Sequence, residues 1–319
     1  MSQDFDCDVL IVGGGCAGLT AGIYAARARL KTLLLDKLEP GGQLATTHEV
    51  ENYPGFPQVV DGPELMDRFA KQAQSFGCEV KSAEVKSISA DDATACVVHT
   101  SNGDFRAKAV IVASGADPKT LGVPGEDRLR GRGVSYCATC DAPFFRDKRV
   151  AVVGGGNTAV DEGIYLTKFA KSVTLIHRRD ELRAERIYQQ RAFENEKMSF
   201  RWDTVATEFV GDQVLEKVKL KNVKTGETSE LNVDGCFVLI GSKPNTEFLQ
   251  GLCDLDENGF VTVNARKETN VPGVFAAGDC EDPVWRQAVT AAGFGCSAAL
   301  SAKRYIEDLE HKPRTSAAY

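Results

Sequence analysis

The chain has 319 residues, 43% of them hydrophobic and 26% charged, and a formal net charge of −7. That length exceeds the size at which one core stops growing, so two domains are expected, and the acidic balance argues against nucleic-acid or membrane-surface binding through net charge. No apolar run approaches a membrane span, and the acidic start Met1 to Asp6 lacks the features of a secretory leader, so a cytoplasmic protein is expected.

In chain order, the first element is a strand, Val9 to Val12. It runs into Gly13-Gly14-Gly15 and then a helix that opens on Cys16, Ala17 and Gly18. A second apolar run, Thr32 to Leu35, ends on Asp36. The pattern recurs 141 residues later. Val150 to Val153 lead into Gly154-Gly155-Gly156, then Asn157, Thr158 and Ala159, and a second run, Val173 to Ile176, ends on His177. Gly22-Ile23-Tyr24 likewise returns as Gly163-Ile164-Tyr165.

Strand, glycine turn, helix, strand is the unit that cradles a dinucleotide. The first glycine makes the sharp turn, and the second lets the backbone approach a pyrophosphate. The third position, Gly18 or Ala159, must be small for the helix to pack on the strand. One such turn is weak evidence; two in matching context point to two dinucleotide sites. Asp36, at the end of the second strand, suits ribose hydroxyls and repels a 2′-phosphate. The corresponding segment of the second unit is His177-Arg178-Arg179-Asp180-Glu181-Leu182-Arg183, whose guanidinium groups suit a phosphate dianion. The first unit should therefore take FAD and the second NADPH. The alternative is that Arg178, Arg179 and Arg183 form a solvated helix face.

Between the units lies Cys137-Ala138-Thr139-Cys140-Asp141, with Cys140 14 residues before Gly154. C-x-x-C spacing allows a tight redox disulfide and a lowered thiol pKa. Structural zinc is the rival, but it usually needs a second close pair, and none exists; no metal is expected. Asp141 is a candidate proton donor and acceptor, or an ordinary turn residue. Cys16 and Cys280, near the flavin motifs, are expected to be small buried hydrophobes.

Further strands are expected at Ala109 to Ala113, ending in Ser114-Gly115, at Phe237 to Ile240, ending in Gly241, and at Val274 to Ala277, ending in Gly278-Asp279. A helix from about Arg286 to Leu309 closes the fold, and the tail from Lys312 to Tyr319 is expected to be disordered. The expected fold class is α/β, with two three-layer Rossmann-like dinucleotide-binding domains, the second inserted into the first. Residues 1–115 and 245–319 would form the FAD domain, and 116–244 the NADPH domain carrying the C-x-x-C pair.

Several segments carry a family resemblance. They are Gly41-Gly42-Gln43-Leu44, Glu49 to Gly55, Cys137 to Asp141, Gly154 to Ala159, His177 to Ala184, and Ala277-Gly278-Asp279 with Arg286-Gln287-Ala288. With them the chain resembles the low-molecular-weight thioredoxin reductases over essentially its full length. The resemblance implies that Gly42, Gln43, Leu44 and Asn52 line the flavin and that Asp279 meets the ribityl chain. It also brings Arg286, Gln287 and Ala288 to the isoalloxazine and counts Val85, Ala113, Gly115 and Gly278 with the FAD-binding residues. Cys140 would face the flavin, Cys137 would attack the partner disulfide, and Asp141 would be the acid/base. Thioredoxin or a thioredoxin-like protein would be the partner, and the chain would form a homodimer. Ser114 departs from the threonine usual there, and Ser242 from the histidine common after that glycine. Related readings are a ferredoxin-fed reductase, for which Tyr319 is the sequence cue, a reductase of another dithiol protein, and a non-catalytic flavin-bound redox sensor.

Overall fold

The computed structural model describes residues 5–47, 49–92 and 95–311. The tail from Lys312, with Tyr319, lies outside the described residues. The chain divides into two compact units, one from its two ends as far as Asp117 and from Lys243, the other from Pro118 to Ser242.

The first unit begins with β1 (Cys7–Val12), α1 (Cys16–Arg27), β2 (Thr32–Asp36), α2 (Gly62–Ser75), β3 (Glu79–Ser82), β4 (Val85–Asp92), β5 (Ala95–Thr100) and β6 (Gly103–Val112). β3, β2, β1 and β6 lie side by side and parallel. The other side of β6 is shared. Its first half pairs antiparallel with β5, which pairs with β4, and its second half pairs parallel with a late strand.

Alternation along these strands makes two cores. Val9, Ile11, Leu34, Ala109 and Ile111 pack against Leu19 and Ile23 of α1 and against the last helix. Leu10, Val12, Leu33, Leu35, Val110 and Val112 face the other way, onto Ile88 and Val98 of the antiparallel strands. Strands buried on both faces read as unbroken apolar runs, which is why β1 and β2 were visible in the sequence.

After β7 (Ala116–Pro118) the second unit repeats the plan with β8 (Val134–Ser135), α3 (Ala138–Asp141), β9 (Arg149–Val153), α4 (Asn157–Leu166), β10 (Ser172–Ile176), α5 (Arg186–Phe193) and β11 (Met198–Arg201). β12 (Thr204–Val210), β13 (Lys217–Asn222) and β14 (Thr228–Asn232) form an antiparallel sheet, and β15 (Gly235–Val238) returns to the parallel one, ordered β11-β10-β9-β15-β8. Val150, Val152 and Phe237 pack on the α4 side, while Ala151, Val153 and Val238 pack on the antiparallel sheet through Phe209 and Val218.

The chain then passes β16 (Ser242–Pro244), β17 (Val274–Ala276) and α6 (Ala288–His311). β7 and β16, the two crossing segments, pair with each other, so the division falls inside them rather than at 115/116 and 244/245. β17 is the partner of the second half of β6. α6 starts two residues later than its sequence pattern, because Arg286 adopts a left-handed φ of 48° that a helix cannot include. No helix among the described residues is long and apolar enough to cross a membrane.

The tightest constraint is where α1 crosses the glycine turn. A Cβ on Gly18 would lie 1.8 Å from the Gly13 carbonyl oxygen, and one on Gly295 of α6 2.0 Å from that of Ala17. Gly18→Ala must push the helix off the strand, at a cost of ~1–3 kcal/mol for overpacking. Ala159→Gly, at the matching place in α4, should cost only about 1 kcal/mol. Thermal unfolding of the two variants checks the contrast.

Candidate active site

In the first unit the turn begins where Gly13 donates to Leu35 O at 2.8 Å. Gly13 has φ 105°, and a Cβ there would strike Ala113 O at 2.4 Å. α1 then starts from Gly15 with no side-chain cap. The first N–H groups of a helix have no partner within it, so this uncapped end, with its positive dipole, is open to an anion. Cys16 and Ala17 are buried, so the turn offers backbone rather than side chains.

Asp36 lies over the turn. Its Oδ2 accepts from Gly14 N at 2.6 Å and its Oδ1 from Leu38 N at 3.1 Å. Ala83 N donates to Asp36 O at 2.8 Å, which brings the start of β4, with Val85, to the same end of the sheet. The short helix Gly42–Thr46, carrying Gln43 and Leu44, abuts Gly15, and Gly41 N donates to Gly14 O. Gln43 Nε2 donates to Asp117 Oδ1 at 2.6 Å. Asn52 Nδ2 reaches Gln287 Oε1 at 3.4 Å, joining two motifs far apart in sequence. Past β6, Asn245 N donates to Gly115 O at 3.0 Å.

Gly278 (φ 82°) packs against Ala17, where a Cβ would stand 2.8 Å from the alanine methyl. The next residue, Asp279, is thereby set near the start of α1. Burial, followed by the charge of Asp282, pushes its carboxyl up to about 6, against the pull of Arg286. Asp282 was missed by sequence reasoning, although Asp before Pro283 is a turn signal. It is 5% exposed and accepts from Val284 N, Trp285 N and Arg286 N, shaping the segment that leads to Gln287 and Ala288 at the start of α6.

The second unit has the same frame. Gly154 N donates to Ile176 O at 3.1 Å, and α4 starts from Gly156, again without a side-chain cap. Ala159 is buried, Thr158 is exposed, and Asn157 exchanges hydrogen bonds with Glu185. His177 covers Gly155 as Asp36 covers Gly14, with a Cβ on Gly155 falling 2.3 Å from the ring. Burial, then Arg183, Arg179 and Arg178, lower the imidazole pKa below its ordinary value and so favour the neutral ring, although the ring donates a hydrogen bond to the Gly154 carbonyl. Arg178, Arg179 and Arg183 lie exposed in the loop between β10 and α5, not on a helix, which removes the helix-face alternative. Arg183 N and Ala184 N both donate to Gly155 O, drawing this loop back to the turn. Among the described residues none of the three arginines joins an ion pair, and Asp180 between them is taken by Lys224 at 2.6 Å.

Cys137 and Cys140 form a disulfide with Cα atoms 5.3 Å apart. Cys137 caps α3, its Sγ accepting from Cys140 N at 3.2 Å. Ala138 N donates to Glu162 Oε2 of α4 at 2.9 Å, and Asp141 Oδ2 accepts from Ser135 Oγ at 2.6 Å. Glu162 and Ser135 carry no motif signal, since only the fold brings them to the pair. Cys16 and Cys280 are buried, and burial pushes both thiols up to about 12.

A model of the pyridine nucleotide-disulphide oxidoreductase family matches residues 7–295. The chain belongs to that family. It is 49% identical to a thioredoxin reductase of Streptomyces coelicolor over 309 residues, 96% of each chain, and 46% identical to that of Bacillus subtilis over 316 residues, 99% of each. The crystal structure of thioredoxin reductase from Streptococcus pyogenes superposes with a TM-score of 0.91 at 42% identity, covering 95% of this chain and 98% of that one.

Membership makes the chain a disulfide oxidoreductase and implies a flavin and a nicotinamide cofactor. The residues present fit both. Each uncapped helix start follows a glycine turn, and each turn has a buried polar atom without a partner among the described residues, Ser114 Oγ in the first unit and His177 Nε2 in the second. The raised carboxyl of Asp279 is testable in the apoprotein. Its folded pKa, about 6, lies above its unfolded value near 3.8, so the folded state binds the extra proton between those pH values. This term is favourable below about pH 4 and is lost as pH rises through 6. The wild-type stability minus that of Asp279→Asn should therefore fall between pH 4 and 6 and level off above, as read by urea unfolding.

Proposed function

We propose that this chain reduces thioredoxin, or a thioredoxin-like dithiol protein, with NADPH, through FAD and the Cys137–Cys140 pair. The observation that carries the reading is an intact C-x-x-C disulfide in the same compact unit as a glycine turn and a loop tied to it that carries three exposed arginines, none in an ion pair among the described residues. The likeness to reductases of that name over nearly the whole chain supports the partner class.

The bound cofactors would supply hydride transfer and pass two electrons to the disulfide. The protein's own residues then have separable duties. Backbone N–H groups at Cys16, Ala17 and Gly18 would hold the FAD pyrophosphate, with Gly13 and Gly15 admitting it, and Asp36 the adenosine ribose. Gly42, Gln43, Leu44, Asn52, Val85, Ala113, Gly115, Gly278, Asp279, Arg286, Gln287 and Ala288 would complete that site. Gly154, Gly156, Asn157, Thr158 and Ala159 would hold the NADPH pyrophosphate beside His177. Arg178, Arg179 and Arg183 would bind the 2′-phosphate, each as a charge-assisted donor. Cys140 would exchange electrons with the flavin side, Cys137 would attack the partner disulfide, and Asp141 would carry the proton. A cytoplasmic homodimer is part of the same proposal.

Cys137→Ser or Cys140→Ser should abolish reduction of a protein disulfide while NADPH still bleaches the flavin and feeds a small artificial acceptor. Retained thioredoxin turnover in either variant would contradict the assignment. Arg178→Ala with Arg179→Ala removes two charged hydrogen bonds worth ~3–6 kcal/mol together. The preference for NADPH over NADH, taken as a ratio of kcat/KM, should fall by roughly two to four decades. A wild-type enzyme indifferent between the two nucleotides would refute the role of this loop.

A further inference from the structure

Ser135 ends β8, two residues before the first cysteine of the pair, and is 5% exposed. Its hydroxyl has three polar neighbours. Asp141 Oδ2 lies at 2.6 Å, the Cys137 carbonyl oxygen at 3.4 Å, and Cys137 N donates to Oγ at 3.2 Å. A hydroxyl has one proton to give and two lone pairs to receive. At these distances the proton goes to the carboxylate, the Cys137 amide occupies one lone pair, and the Cys137 carbonyl stands by as a second acceptor.

We propose that Ser135 is the positioning residue for Asp141, its hydroxyl turning between the Asp141 carboxylate and the Cys137 carbonyl as Asp141 loses and gains a proton. The proposal rests on the reading of Asp141 as the proton carrier of the pair. With Asp141 ionised, Ser135 donates to it. With Asp141 protonated, the new O–H donates to Ser135 Oγ and the serine proton turns to Cys137 O. Both states keep every group partnered, and only a hydroxyl hydrogen moves. At this half-exposed turn the buried serine hydroxyl gives the carboxyl the same neighbour before and after its charge changes.

Exchange balances through this device. One thiol of the reduced pair gives its proton to Asp141 and attacks, as thiolate, a sulfur of the partner disulfide. The partner S–S bond breaks, and its other sulfur leaves, taking a proton from the second thiol of the pair. That second sulfur then displaces the mixed disulfide, closing the Cys137–Cys140 bond. The released partner thiolate takes the proton held by Asp141. Two electrons and two protons have passed to the partner. Two other ionisable groups that neighbouring elements bring to this turn make hydrogen bonds of their own. Glu162 of α4 holds Ala138 N, and Tyr136 gives its hydroxyl to Glu126. The segment that follows, Ala142 to Phe145, carries no charge.

The test measures protein-disulfide reduction per bound flavin against pH, together with an infrared titration of the Asp141 carboxyl, identified by its loss in Asp141→Asn. Ser135→Ala removes a donor to the ionised form and should move both the titration and the acidic limb of the rate profile up by about one pH unit. Ser135→Gly must move them the same way, Ser135→Thr must titrate as wild type, and adding Ser135→Ala to Asp141→Asn must leave the pH profile of the single variant. A rate lowered equally at every pH, with the carboxyl titration unmoved, overturns the proposal and leaves Ser135 a packing residue. A wild-type enzyme that reduces no protein disulfide overturns the functional reading instead, and the infrared titration still decides the Ser135 contact.

Discussion

The backbone N–H groups left without a side-chain cap at the starts of α1 and α4 are the feature on which the rest of the structure depends. Both helices begin at a glycine with no side-chain cap, after a strand that has a parallel neighbour on each side. A helix end left this way costs free energy unless water or a ligand completes it, and here it also concentrates the positive end of the dipole. Holding such an end open requires the helix to press on its own turn, hence Gly18 against Gly13 O and Gly278 against Ala17. It also requires the sheet to be buried on both faces so that the turn stays put, which the antiparallel strands and the helices supply from opposite sides.

The two units show how one backbone plan is given two chemistries. Asp36 and His177 occupy the same place over their glycine turns, yet the first brings a carboxylate bonded to Gly14 N and the second a neutral ring packed on Gly155. Changing that residue removes a negative charge from the second turn. The arginine loop then adds positive charge, and Lys224 neutralises the acid at Asp180 that would oppose it. The polarity of the second site thus comes from substituents on a conserved geometry, with no change in the fold around it.

What was legible in the sequence was local. The buried strands, glycine turns and C-x-x-C pair each lie within a few adjacent residues, and the repeat tied the two turns together. The antiparallel strands β4, β5 and β12 to β14 escaped notice because no glycine turn or repeat marks them, although β13 alternates lysines with the buried Val218 and Leu220. The start of α6 was misjudged because Arg286 fits a helical pattern but is turned out of it by three amide bonds to Asp282. Glu162 and Ser135 were silent because their meaning lies in which backbone group they meet, and periodicity carries no record of that.

A chain that passes electrons through one disulfide must keep its other thiols out of exchange, and burial does this. Seven of the eight free cysteines among the described residues are buried. Loss of hydration raises the cost of a thiolate, pushing Cys7, Cys16, Cys78 and Cys280 up to about 12, and thiols that do not ionise do not attack disulfides. The Cys137–Cys140 pair has the opposite setting. It is half-exposed at the start of a short helix, and the Cys140 amide is already directed at the Cys137 sulfur. A negative charge formed on that sulfur by reduction would find its donor in place, whereas one formed on Cys16 or Cys280 would have to displace packed neighbours to reach water. Selectivity among ten chemically identical side chains therefore follows from hydration and hydrogen bonding.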